Sequence, residues 1–242
     1  MKRIFDFFIA LIGLLLLSPI LLFFILTIWL QDRHSPFYIA PRVGINGKMF
    51  NMIKLRTMIV NADKSGVDST SSDDKRITRV GHIIRKFKFD ELLQLLNVLV
   101  GQMSLVGPRP QVKTDVDLYT DQEKQLLSVL PGITDFSSIV FADEGKILEG
   151  SINPDLDYNQ LIRPWKSRFS LIYVEKRNFW IDIKLIFITL LNIFSREKAL
   201  QKVHSIIKDI GISDELIRMV LRKEVLVPYP PPGSKDIVHS RN

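Results

Sequence analysis

The chain has 242 residues, with 33 Lys+Arg against 26 Asp+Glu, which leaves a formal net charge of +7. That is room for one medium domain or two small ones, and the charge excess is modest. With no cysteine there is no disulfide framework, thiolate metal site or cysteine nucleophile, and the four histidines are scattered without ligand-like spacing.

The first element is a membrane segment. Twenty of the 25 residues from Phe7 to Gln31 are apolar and none is charged. Outside it, about 42% of residues are apolar, an ordinary globular level, so the chain is not a multispan transporter. Lys2 and Arg3 precede the run as in a secretory signal, but the run is longer than a signal core of about 7 to 15 residues. It is therefore expected to be retained. As a straight helix, 25 residues reach about 37 Å, enough to cross a hydrocarbon core of about 30 Å. Two features argue against a plain crossing. Ser18 and Pro19 sit at mid-run, where proline deletes a backbone hydrogen bond. Basic residues also flank both ends, with Lys2 and Arg3 before it and Arg33, Arg42, Lys48, Lys54 and Arg56 after it. A helix that breaks at Ser18-Pro19 and returns to the same face explains both. Composition alone leaves spanning and re-entrant readings open.

Phe37 to Met58 predicts a small β-hairpin turning at Gly44-Ile45-Asn46-Gly47, and the polar stretch Ser65 to Asp74 an exposed loop. Arg76 to Lys88 mixes bases with Ile83, Ile84, Phe87 and Phe89, a pattern suited to an anionic lipid surface. Nucleic acid is the weaker reading of those bases, since an apolar tether brings the chain to lipid first. A short buried helix follows, with Asp90 as its expected N-cap and Gly101 as its stop. Ser104 to Pro110 is turn-rich. Ser167 to Phe194 is strongly apolar, but its longest uncharged run suits an interfacial or core helix rather than a crossing. After Arg196 a mixed-charge helix is expected near Ser213 to Glu224, then the prolines of 228–232.

Asp90 and Glu91 are adjacent carboxylates at a helix start, where exposed N–H groups favour negative charge. Spacing alone favours capping over chemistry. Arg109, braced between Pro108 and Pro110, suits phosphate oxygens but also fits a surface-loop arginine. Neither a P-loop nor a GxGxxG motif is present.

The order of these pieces resembles a known family. Lys2-Arg3-Ile4-Phe5-Asp6, the Ser18-Pro19 break, Arg42-Val43-Gly44 with Gly47-Lys48-Met49-Phe50, Lys54-Leu55-Arg56-Thr57-Met58, and Asp74 to Gly81 come first. Asp90-Glu91-Leu92 with Gln94 to Leu99, Gly101 to Pro110, and Pro131-Gly132-Ile133-Thr134 follow. Together they resemble the bacterial sugar transferases known as small monotopic phosphoglycosyl transferases, over about residues 2 to 194. The resemblance implies an α/β, mostly helical monotopic membrane protein. Its parts would be a re-entrant helix over 1–34, a catalytic domain over 35–196 and a C-terminal extension over 197–242.

It also implies transfer of a sugar phosphate from a UDP-sugar to undecaprenyl phosphate with release of UMP, on the cytoplasmic face of a bacterial inner membrane. Asp90 would be the nucleophile and Glu91 its partner, both near an assisting Mg²⁺. Arg85, Lys54, Arg56 and the Pro108-Arg109-Pro110 turn would contact substrate. Partners would be the UDP-sugar, the polyprenyl phosphate and membrane lipid, with no nucleic acid; a homodimer is left open. One departure is Asp135 to Phe141, where many relatives carry a different stretch, so no sugar or nucleobase contact is carried over from it. A lipid-binding scaffold and a hydrolase using the same carboxylates are the rivals.

Overall fold

A computed structural model describes residues 1–240. The chain opens with one long apolar helix, α1 (Lys2–Asp32), and among the described residues this is the one helix long and apolar enough to cross a membrane. It is continuous through Ser18 and Pro19, so the two half-helices expected from the sequence are not separate elements. The proline leaves its mark nonetheless. Pro19 has no N–H for the carbonyl of Leu15, and the Ser18 hydroxyl donates to that carbonyl at 2.8 Å.

Both ends of α1 are tied down. At the start, Lys2 pairs with Asp182, Arg3 donates to the carbonyls of Val98 and Leu99, and the Ser104 hydroxyl donates to Asp6 at 2.7 Å. At the other end Asp32 accepts both terminal nitrogens of Arg56, at 2.6 and 2.7 Å. Between them Ala10, Leu21, Phe24 and Ile28 are buried, while Leu15, Leu16, Leu22 and Phe23 face outward.

The expected hairpin is present. Strands β1 (Phe37–Val43) and β2 (Met49–Leu55) pair antiparallel, Phe37 opposite Leu55, around a turn in which Asn46 and Gly47 take positive φ. The basic helix α2 (Arg79–Lys86) is capped by Thr78, whose hydroxyl accepts from the N–H of Gly81. Its Ile84 is fully buried, with Ile83 and the following Phe87 exposed. Helix α3 (Gln94–Leu99) ends at Gly101, which takes the left-handed φ expected of a stop.

Strand β3 (Ser104–Val106) runs parallel to β4 (Gly132–Thr134). Here two glycines meet. A Cβ on Gly132 would lie 2.0 Å from the nitrogen of Gly107, and one on Gly107 would lie 2.5 Å from the carbonyl of Leu130. Neither obstacle is a movable side chain. Gly132→Ala is expected to cost about 3 kcal/mol or more, the upper end of overpacking, and thermal denaturation in detergent measures it. An unchanged midpoint would show that the crossing tolerates a methyl group.

Short turns α4 (Lys113–Val116), α5 (Phe136–Val140), α6 (Glu144–Ile147) and α7 (Pro154–Asp157) follow. In the departing stretch, Asp135 is buried and caps α5 through the N–H of Ser138, and the Ser137 and Ser170 hydroxyls donate to it. That stretch is structural: Phe136, Ile139 and Val140 are core. A π-helical turn at Tyr158–Ile162 leads into α8 (Arg163–Lys176), and α9 (Phe179–Phe194) follows. Helix α9 buries Ile181, Leu185 and Ile188 and exposes Trp180, Phe187, Leu190 and Phe194. That apolar outer face suits lipid.

Beyond Arg196 the chain forms α10 (Arg196–Asp209), which the sequence reading did not anticipate, and α11 (Asp214–Val220), inside the region where a helix was expected. Ala199, Leu200, Val203, Ile207 and Val220 join the same core as α8 and α9. The proline stretch then lies across α8, where Tyr229 stacks on Trp165 at 4.4 Å and Arg168 donates to the Pro230 carbonyl at 2.9 Å.

Candidate active site

The Asp90-Glu91 pair does not cap a helix. It lies in a 3₁₀ turn, Phe89–Glu91, entered through Lys88 in the left-handed region at φ 56, and Asp90 makes no side-chain capping bond. Helix α3 begins only at Gln94.

The two acids live in different surroundings. Glu91 is gripped by Arg109, whose two terminal nitrogens reach its two oxygens, one of them at 3.3 Å. Glu91 retains 17% and Arg109 23% of side-chain exposure. Burial would raise Glu91, but Arg109, aided by Lys88 and Lys54, outweighs it and holds the carboxyl down at about 2. Among the described residues Asp90 accepts no such hydrogen bond. Burial, then the charge of Glu91, push it above the ordinary carboxylate value against the pull of Lys54, Arg85 and Arg109. One acid is ionised and fixed, and its neighbour is left unbonded among cations. Groups whose environments are driven apart in this way mark sites of chemistry.

Lys54, Arg85 and Arg109 all act on Asp90 through their charge. Lys54 comes from β2, and Arg85 from the last turn of α2, where its Nε donates to the Thr57 hydroxyl at 2.8 Å. Pro108 and Pro110 line the cleft beside Arg109, whose position follows from the glycine crossing: Gly107 donates to Thr134 and Gly132 to the Pro108 carbonyl, both at 2.9 Å. Arg56 stands apart. Its guanidinium is taken up by Asp32 and by the Ser35 carbonyl, so it anchors the end of α1 and is not turned to Asp90. Arg109 also gains a bracing partner, Glu91, that the sequence did not reveal.

Four further residues escaped the sequence reading as members of this site. Arg42 and Lys88 act electrostatically on the group, and Glu144 adds to the field that keeps Arg109 protonated. Lys166 pairs with Glu144 at 2.7 Å. Arg42 and Lys88 stood in basic runs that could have been read as site residues; Glu144 and Lys166 stand in no motif.

Burial, then the charge on Arg109, bring Lys54 down to about 8. If its charge serves the reaction, kcat/KM falls as pH rises through about 8, and falls again in acid as Asp90 takes up its proton. Since Lys54 sits below its unfolded value of about 10.4, rising pH relieves a cost to the fold and does not unfold it. Lys54→Arg should shift the alkaline limb upward, with thermal denaturation at each pH as control. An alkaline limb that stays at about 8 in this variant would remove Lys54 from the reaction.

No group of three or more metal-ligating side chains occurs among the described residues. Asp90 and Glu91 supply two carboxylates, and Glu91 is already held by Arg109. That set fits a Mg²⁺ drawing its remaining ligands from water and substrate phosphates, and does not form a closed protein cage.

A carboxylate under the charge of three cations, in a chain with one long apolar helix, has the donor set that phosphate groups require. Residues 1–196 match the bacterial sugar transferase family, and the chain belongs to it. It is 34% identical over 206 residues to the uncharacterised sugar transferase EpsL of Bacillus subtilis (strain 168), covering 84% of this chain and 92% of that protein. It is 36% identical over 203 residues to the undecaprenyl-phosphate glucose phosphotransferase of Komagataeibacter xylinus, covering 81% of this chain but 36% of that longer protein. With the UDP-N-acetylgalactosamine-undecaprenyl-phosphate N-acetylgalactosaminephosphotransferase of Aeromonas hydrophila it shares 31% identity over 198 residues, 80% of this chain and 44% of that protein. The chain is thus a transferase that spans less than half the length of these two named phosphotransferases.

Proposed function

We propose that this chain transfers a sugar 1-phosphate from a UDP-sugar to undecaprenyl phosphate at the cytoplasmic face of a bacterial inner membrane. The observation that carries the reading is the division of the pair: Asp90 with no hydrogen-bond partner among the described residues, beside a Glu91 locked by Arg109.

In the first half-reaction an Asp90 oxygen attacks the sugar-bearing phosphorus, the bond from that phosphorus to the bridging oxygen breaks, and UMP leaves. A phosphosugar ester remains on Asp90. In the second, an oxygen of undecaprenyl phosphate attacks the same phosphorus, releasing Asp90 and giving undecaprenyl-diphosphate-sugar. Lys54, Arg85 and Arg109 offset charge on the diphosphate as it is attacked. Glu91 keeps Arg109 oriented. Mg²⁺, held by Asp90 and Glu91 together with the substrate, would supply further neutralisation of phosphate charge.

The membrane part of the reading is that α1 enters and leaves on one side. It is supported by ties at both ends of α1 to the same domain, Lys2 with Asp182 and Asp32 with Arg56. The exposed apolar residues of α2 and α9 then lie at the same surface, where a soluble donor and a lipid acceptor meet.

The test is UMP release from a panel of UDP-sugars, with Mg²⁺, with and without undecaprenyl phosphate. Multiple turnover that requires the lipid phosphate is expected. Release driven by water would make the chain a hydrolase, and no release with any donor would leave a lipid-binding scaffold.

A further inference from the structure

We propose that Glu144, held by a Lys166 that lines the cleft with Arg109, accepts a hydrogen bond from a hydroxyl of the donor's sugar and so selects which UDP-sugar is used; this rests on the transferase reading above. Lys166, the partner of Glu144, lines the same cleft as Arg109, together with Tyr119, Tyr158 and Arg163. Lys166 is 7% exposed, donates to Oε2 of Glu144 at 2.7 Å, and lies 5.5 Å from the ring centre of Tyr158. Glu144 keeps 34% of its side-chain exposure, and its Oε1 accepts from no protein donor among the described residues. A carboxylate has room for several donors, so one oxygen is held and the other is on offer.

The turn carrying this carboxylate is itself fixed. Asp143, its neighbour, is paired with Arg196 at 2.7 Å and with Arg222 at 3.8 Å, and the Arg222 guanidinium lies 4.7 Å from the ring centre of Phe141. The segment after residue 196 thereby acquires a positioning role toward the site.

Charge decides what Glu144 can contact. It is near enough to Arg109 to strengthen that residue's hold on its proton, and Arg109 and Lys88 in turn favour its ionised form. A negative oxygen there repels the donor's diphosphate and attracts a neutral O–H. An ion pair with one half-exposed partner contributes little stability, whereas a carboxylate that binds a substrate hydroxyl rejects analogues lacking that hydroxyl strongly.

Glu144→Gln leaves a carbonyl oxygen for Lys166 but removes the charge. With UDP-sugars differing at single hydroxyls, it should raise KM for the preferred donor about tenfold, as for loss of one hydrogen bond to a charged group. The change in kcat at saturating donor should be much smaller, discrimination between epimers should shrink, and inhibition by UMP should stay within about twofold. Should the glutamine variant denature early, Glu144→Asp, which withdraws the carboxyl by one methylene, carries the same expectation. An unchanged KM and donor preference, with the wild-type chain active, overturns this inference alone. Parallel weakening of UMP inhibition also overturns it, by placing Glu144 against the nucleotide. A wild-type chain inactive with every donor overturns the transferase reading and this inference with it.

Discussion

Asp90→Asn should abolish turnover, by about a thousandfold or more as expected for loss of a nucleophile, while the protein melts no earlier than the wild type. The second half of that expectation follows from the environment. Asp90 has its pKa raised by burial and by Glu91, so at neutral pH the fold carries a cost for its charge, and a neutral amide of the same shape relieves it. Glu91→Gln should do the reverse. Its carboxyl is held at about 2, so the stability it contributes is present above its unfolded value of about 4.3 and is lost as pH falls toward 2. Removing that charge also strands Arg109. Two neighbouring acids replaced by their amides are thus expected to move the melting temperature in opposite directions. Incubation of the wild-type chain with donor alone, followed by peptide mass analysis, should show a phosphosugar adduct on the peptide containing Asp90. Near-normal turnover in Asp90→Asn would exclude Asp90 as the nucleophile.

How far the sequence foretold this site depends on the range of the forces that built each part. The hairpin and the stop at Gly101 follow from local rules: alternation, turn residues and a glycine able to take positive φ. The crossing of Gly107 and Gly132 is a contact between segments 25 residues apart, and only the backbone packing shows why both lack a side chain. Asp90 was misplaced by one local rule. An acid before an apolar run reads as an N-cap, yet Lys88 turns the chain early and the helix starts at Gln94. Arg56 and Arg109 looked alike as basic residues near motifs. Long-range partners separate them, Asp32 for one and Glu91 for the other. Glu144 and Lys166 were invisible because 22 residues and two helical turns separate them, and a single Glu in a polar stretch carries no signal of its own.

Residue 4 should be labelled only from the cytoplasmic side when α1 bends in the membrane. A cysteine at Lys2 would remove the pair with Asp182, so Ile4→Cys, at an exposed position in this cysteine-free chain, is the better reporter. Lys48→Cys in the exposed hairpin turn marks the domain face. An impermeant thiol reagent should spare both in intact cells and reach both in inverted vesicles. The energetic case turns on the middle of the helix. Pro19 leaves the Leu15 carbonyl without its usual donor, and in hydrocarbon an orphaned carbonyl costs several kcal/mol. The Ser18 hydroxyl satisfies it from one turn along, so bending there adds little cost. A straight α1 of 31 residues would be about 46 Å long, and its two tied ends would carry Asp182 and Arg56 to opposite sides of the bilayer. The domain that holds both cannot follow without burying its charges in lipid. Replacing Ser18 with Ala and Pro19 with Leu restores the missing N–H and removes the clash, which favours the straight form. External labelling should then appear at residue 4 and not at residue 48, along with rupture of the Lys2 pair. Labelling of residue 4 from outside in the otherwise unaltered chain would refute the re-entrant geometry.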